Sequence, residues 1–207
     1  MFRKNSDDYK NISRKNFDEE ADNYYKTHDG KHSSALYNGV IKKLNTLNYS
    51  SLLDVGCGTG EVLSCIYREG VKFSGLDISS KMLGIARKNL GGNVDLRLGD
   101  SEKLPWDDES FEALLCLNSF HHYPNPEKVL NEMNRVLKSG GKLVMADPWQ
   151  STPLRQLMNT FIHFNGGGDF RIYSESEICS LLTETGFKDI EWEKLDGKHA
   201  FIVTAGV

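Results

Sequence analysis

This sequence is short of the features that would take it out of ordinary globular chemistry. Its four cysteines, Cys57, Cys65, Cys116 and Cys179, include no C-x-x-C pair, so they read as buried or incidental thiols rather than a disulfide framework or a thiolate metal centre. No apolar run approaches the length of a membrane span, and the polar N-terminus lacks a signal-peptide core, which points to a cytoplasmic protein. No Pro-, Gly- or Ser-rich linker divides the 207 residues, a length that buries one substantial core, so a single domain over 1–207 is expected. Charge of one sign is also lacking: 25 Lys and Arg face 29 Asp and Glu, a formal net charge of -4. Such a field attracts neither nucleic acid nor an anionic membrane. The basic residues Arg3, Lys4, Lys10, Arg14 and Lys15 alternate with Asp7 and Asp8 and read as a solvated tail.

What is present is concentrated in Leu52 to Gly60, LLDVGCGTG, followed by Asp77 at the end of a second apolar run. A short apolar strand that runs into glycines at alternate positions, Gly56, Gly58 and Gly60, turns where a bound molecule approaches bare backbone. A dinucleotide loop needs G-x-G-x-x-G; here the series is G-x-G-x-G, with Glu61 in the place of the third glycine. A carboxylate there suits the helix dipole but repels a pyrophosphate, so the loop is suited to a nucleoside without phosphates. Asp77, seventeen residues beyond Gly60, is placed to accept hydrogen bonds from ribose hydroxyls at the next strand tip.

From Ser51 the pattern alternates strand and helix, which predicts an α/β domain whose mainly parallel sheet is covered on both faces. Strands are expected near 51–55, 72–77, 94–98, 111–117 and 141–146, and helices near 60–70, 79–90 and 126–138, the last ended by Gly140-Gly141. Residues 174–186 predict a capped helix. FKDIEWEKL and HAFIVTAGV, joined across Asp196-Gly197, predict a terminal hairpin. Upstream, 17–25 and 33–47 have helical spacing. Between Pro148 and Tyr173 the pattern lapses.

Five ordered blocks now stand together: LLDVGCGTG, GLDIS with KML, GDSEKLPW, NSFHHYPNP and RVLKSGGKLVMAD. In this order they resemble the class I S-adenosylmethionine (SAM)-dependent methyltransferases of the small-molecule, UbiE-like kind, over about Ser51 to Asp147. Glu112 stands where that family usually has Asp, and Ser139 replaces the usual Pro of the KPGG turn; neither touches the expected cofactor contacts. The resemblance implies a Rossmann-like, doubly wound, seven-stranded mixed sheet in the order 3-2-1-4-5-7-6, with the last strand antiparallel. It implies SAM as cofactor, S-adenosylhomocysteine as product and a small-molecule acceptor as partner. It further implies an N-terminal lid over 1–50 carrying the FDxxAxxY pattern of Phe17, Asp18, Ala21 and Tyr24. A SAM-binding core over 51–147, a variable substrate cap over 148–173 and a helix plus hairpin over 174–207 would follow. By the same resemblance the backbone around Gly56, Cys57 and Gly58 meets the methionine portion, and Tyr24 and Gly60 also belong to the cofactor-binding set. Asp77 would hold the ribose, Ile78 and Met82 the adenine face, Asp100 and Ser101 its edge, and Asn118 the methionine ammonium. Asp54 would support the loop.

His121 and His122 follow the fourth strand at the sheet edge where open α/β sheets bind ligands, and Asp147 ends the fifth strand at the same edge. A neutral imidazole there could take the proton of a hydroxyl, phenol or amine under methylation; a packed histidine and a turn cap are the plainer reading. The N/D-P-P-Y and Pro-Cys signatures of nucleic-acid enzymes are absent. Asp147 alone offers a carboxylate to a divalent metal, so no metal is expected. A SAM-binding module without catalysis remains the alternative. An NAD oxidoreductase is opposed by the glycine spacing.

Overall fold

Leu52, Leu53 and Val55 are apolar on both faces of one short strand, which only a sheet covered on both sides can bury. The computed structural model, which describes residues 5–164, 166–195, 197 and 199–207, has that sheet. Its strands are β1 (Ser51–Val55), β2 (Lys72–Asp77), β3 (Val94–Leu98), β4 (Phe111–Leu117), β5 (Leu137–Pro148), β6 (Lys188–Leu195) and β7 (Ala200–Gly206). They lie in the order β3-β2-β1-β4-β5-β7-β6. The first five pair in parallel, and β7 runs antiparallel to both β5 and β6. This is the Rossmann-like mixed sheet expected. The order reverses between β1 and β4, so the chain leaves their carboxyl ends in opposite directions and opens a crevice there.

The helices are α1 (Ser6–Glu20), α2 (His28–Leu44), α3 (Glu61–Ile66), α4 (Ser80–Leu90), α5 (Pro126–Val136), α6 (Thr152–Phe161) and α7 (Glu175–Glu184), with a short 3-10 segment, Ala21–Lys26, between α1 and α2. Leu36, Val40 and Leu44 of α2 pack with Leu63 of α3 and Leu83 of α4 on one face, against Leu52, Leu115, Val144 and Ile202. On the other face Val129, Leu130 and Met133 of α5 and Ile178 and Leu182 of α7 cover Leu53, Leu114, Met145 and Val203. Among the described residues no helix is long and apolar enough to cross a membrane.

Several expectations need correction. The N-terminal residues from Ser6 form a helix, not a tail: Asn5 and Asp8 make a reciprocal capping box, and Lys10 pairs with Asp100 at 2.8 Å and Glu102 at 2.7 Å. Arg3 and Lys4 lie outside the described residues. Helix α2, inside the stretch expected as a lid, packs into the core, where Leu36, Val40 and Leu44 are fully buried. Helix α3 is shorter than 60–70 and stops before Tyr67, whose ring turns onto Phe73. Helix α5 stops at Val136, two residues early, because Gly140 and Gly141 sit in a bulged start of β5 bonded to Val207. The terminal hairpin pairs Leu195 with Ala200; Asp196 of its expected turn lies outside the described residues. The expected cap contains α6, which buries none of its residues and leaves Leu157 and Phe161 exposed.

Candidate active site

The crevice at the β1–β4 divide deepens into a cleft holding about 750 Å³ of empty space out to its mouth, a size suited to a cofactor-sized molecule. Gly56 and Gly58 form its floor in left-handed conformations, φ +85° and +52°. A Cβ at Gly56 would stand 2.2 Å from Ser119 Oγ, whereas a Cβ at Gly58 would project into open space. Bare backbone is therefore presented to whatever fills the cleft. Asp77 ties the loop to the next strand: its Oδ2 accepts from Gly58 N and its Oδ1 from Ser79 N, both at 2.8 Å. The carboxylate keeps acceptor capacity for a ribose hydroxyl of a nucleoside. The donor set, the open glycine backbone and the cleft volume fit SAM.

Burial pushes the Asp77 carboxyl up to about 6, although the N–H groups of Ser79, Gly58 and Ile78 pull it back. The sign for binding follows. Ribose hydroxyls donate to the carboxylate, so affinity for S-adenosylhomocysteine is expected to be flat above about pH 6 and to fall as pH drops through that value. Calorimetric titration from pH 5 to 8 checks it; affinity that is unchanged or rises on acidification contradicts the role given to Asp77.

Of the residues expected at the cofactor, Tyr24, Gly56, Gly58, Asp77, Ile78, Met82, Asp100, Ser101 and Asn118 line the cleft. Asp54, Cys57 and Gly60 do not. Asp54 is 3% exposed, and its Oδ1 has no hydrogen-bond partner among the described residues. Burial, and then the charge of Asp77, push its carboxyl up to about 8, so at neutral pH it is a mostly neutral acid beneath the loop. Cys57 turns its sulfur towards Gly75, where a Cβ would meet it at 2.8 Å, and burial pushes its thiol up. Gly60, φ +74°, lets α4 close in: a Cβ there would meet Leu90 Cδ1 at 2.6 Å. The third glycine of the loop thus serves helix packing.

The N-terminal side of the cleft is built by α1 and the segment after it. Lys10, Ser13, Phe17 and Tyr24 line it. Asp18 Oδ1 accepts from Ser79 Oγ at 2.6 Å and from Lys81 N at 3.3 Å, while Ser79 Oγ accepts from Met82 N and caps α4.

At the other end stand the histidines, in a 3-10 turn after β4. His122 lines the cleft, with Phe17 edge-on at 5.1 Å; His121 lies behind it, the two ring centroids 4.0 Å apart. His121 Nδ1 meets Asp147 Oδ1 at 3.0 Å, and because the carboxylate accepts, that nitrogen carries the proton. Asp147, 1% exposed, therefore orients His121 and does not itself reach the cleft. The carbonyl of His121 accepts from Phe170 N at 2.7 Å and Arg171 N at 3.1 Å, which brings in Asp169. Asp169 Oδ1 lies 3.3 Å from His122 Nδ1 and 3.7 Å from His121 Nε2. The sequence gives little sign of Asp169, since it follows a glycine run without periodicity. His121, His122 and Asp169 place three ligating atoms within 4.8 Å of one another, a set that could hold a metal ion; a search for carboxylate clusters along the sequence does not find it.

A family model described as Methyltransferase domain matches residues 53–145. The demethylmenaquinone methyltransferase of Thermotoga maritima is 30% identical over 191 residues, covering 81% of this chain and 80% of that one. The ubiquinone/menaquinone biosynthesis C-methyltransferase UbiE of a Geobacter species is 28% identical over 192 residues, 79% of this chain and 81% of its own. A solved SAM-dependent methyltransferase from Thermotoga maritima superposes with a TM-score of 0.72 at 21% identity, covering 95% of this chain and 98% of that one, a likeness of fold. With the sheet order, the glycine floor and the acid at the second strand tip already in place, these relatives settle the family: the chain belongs to the class I SAM-dependent methyltransferases of the UbiE-like kind, with SAM as its cofactor.

Proposed function

We propose that this methyltransferase acts on a small, largely apolar ring compound of the quinol kind, with His122 as the group that receives the acceptor's proton. One observation carries the reading: His122 and Asn118 share a single cleft with Asp77, Asp100 and Ser101. A nucleoside held at the β2 tip would thus direct its far end towards an imidazole. The relatives named for quinone methylation support the acceptor class, as does the aromatic ring of Phe17 in the cleft wall.

SAM supplies an electrophilic methyl group on a sulfonium, with a neutral thioether as leaving group. The chain's own part is alignment and dryness, and orientation can be worth about 7–11 kcal/mol. Asp77, Ile78 and Met82 fix the adenosine end; the backbone of Gly56 and Gly58 lets the methionine arm pass. Phe17 and α1 exclude water. Asp147 sets the tautomer of His121, which packs against His122, and Asp169 faces both rings. No metal is required by this scheme.

The test is turnover. Labelled SAM incubated with quinol analogues and a metabolite extract is expected to yield a product heavier by one methyl group. A chain that binds S-adenosylhomocysteine yet labels nothing would instead be a sensing module.

The lid reading is also a proposal, narrowed to residues before α2. Removing residues 1–26 is expected to weaken S-adenosylhomocysteine binding more than it lowers the melting temperature, and hydrogen exchange over 6–26 should slow when the ligand is added. Removing residues through 50 should cost the fold itself, because it strips Leu36, Val40 and Leu44 from the core. Equal exchange with and without ligand would make α1 a packing helix.

A further inference from the structure

Asn118 follows β4 with φ +50°, in the left-handed region that asparagine tolerates better than most residues. Its N–H donates to Ala146 O at 2.7 Å, and the residue is 8% exposed. The side-chain amide is held at both ends. Its Nδ2 donates to Ser33 Oγ at 2.8 Å, and its Oδ1 stands 3.1 Å from His32 Nδ1. An amide oxygen only accepts, so that imidazole nitrogen is the donor. Behind Ser33, the hydroxyl of Tyr24 lies 3.2 Å from Ser33 Oγ. His32 and Ser33 lie in α2 and Tyr24 in the 3-10 segment before it, whereas Asn118 follows the carboxyl end of β4.

One hydrogen bond at each end of the amide, both to α2, fixes the side chain and with it the main chain of a residue that lines the cleft. The adenosine end is reached separately, by Lys10 on Asp100 and Asp18 on Ser79. We infer that His32 and Ser33, backed by Tyr24, are positioning residues that set the main chain at Asn118 for the amino-acid arm of SAM. The N-terminal segment then reads the two ends of the cofactor with two different parts. This rests on the reading that Asn118 meets the methionine portion.

The two ends can be separated with a truncated ligand. 5′-Methylthioadenosine keeps the adenosine and the sulfur of S-adenosylhomocysteine but lacks the amino-acid arm. In calorimetry on the full chain, Ser33→Ala and His32→Ala are each expected to weaken S-adenosylhomocysteine binding about fivefold, the scale of one lost buried hydrogen bond. 5′-Methylthioadenosine should bind both variants as it binds the wild type, which also reports that they are folded. Ser33→Thr, which keeps the hydroxyl, should recover most of the loss, and Lys10→Ala should weaken both ligands. The inference is overturned if Ser33→Ala and His32→Ala weaken both ligands equally, or neither. If the wild type binds S-adenosylhomocysteine no better than 5′-methylthioadenosine, the placement of the methionine arm at Asn118 fails, and this inference fails with it.

Discussion

Asp77→Ala is expected to weaken S-adenosylhomocysteine binding at least about tenfold, and more than any other single change in the cleft floor. Hydrogen bonds to a charged acceptor contribute about 1.5–3 kcal/mol, and this carboxylate has bonds of two kinds to lose. It would hold the ribose, and it already holds Gly58 N and Ser79 N, so the glycine loop and the entry to α4 lose their tie together. Asp77→Asn separates the parts, since an amide oxygen can keep one of the two backbone bonds and should bind with intermediate affinity. Calorimetry on both variants, with circular dichroism to confirm the fold, decides the matter. Unchanged affinity in Asp77→Ala would remove this residue from the site.

The second large effect is expected at the histidines once an acceptor is in hand. His122→Ala should lower kcat by about 10²–10⁴-fold, the usual contribution of general-base catalysis, while S-adenosylhomocysteine affinity stays near that of the wild type. The loss should shrink at high pH, where a phenol or quinol ionises without help. His121→Ala should act differently, since it removes the ring that donates to the buried carboxylate of Asp147. It should lower thermal stability as well as rate. Dialysis against a chelator should leave kcat unchanged; a loss that added zinc or magnesium restores would turn the two imidazoles and Asp169 from acid–base groups into ligands. If His122→Ala and His121→Ala both keep kcat within about threefold, the enzyme works by alignment alone.

The sheet was legible because its strands carry their evidence locally. Leu52 to Val55, apolar but for Asp54, and the apolar run Leu114 to Leu117 are bounded by glycine or polar turns, and Pro126 marks where α5 starts. Boundaries failed where a distant partner decides them: nothing near Lys138 announces that Val207 will bond to Gly140 and Gly141 and draw them into β5. The cleft floor was legible for the same local reason, through its glycines and Asp77. Asp147 was found but its direction was not, because the pairing with His121 spans 26 positions. Asp169, Lys10 and Ser33 reach the site only by tertiary contact. Helix α6 shows the opposite failure. Leu154, Leu157, Met158 and Phe161 have helical spacing in plain view, yet the neighbouring glycines make the segment read as irregular.

If α1 moves to admit the cofactor, Asp18 bears on how. Its carboxylate takes the hydroxyl of Ser79 while that hydroxyl caps α4 through Met82 N. A swing of α1 would release that bond and leave Ser79 Oγ to cap Met82 N without its own acceptor. The first turn of α4 carries Met82, so the cleft wall there would lose a support with the same motion. Entry and recognition would then be one event. A substitution on α1, far from the chemistry, would register first as a change in how tightly the nucleoside is held.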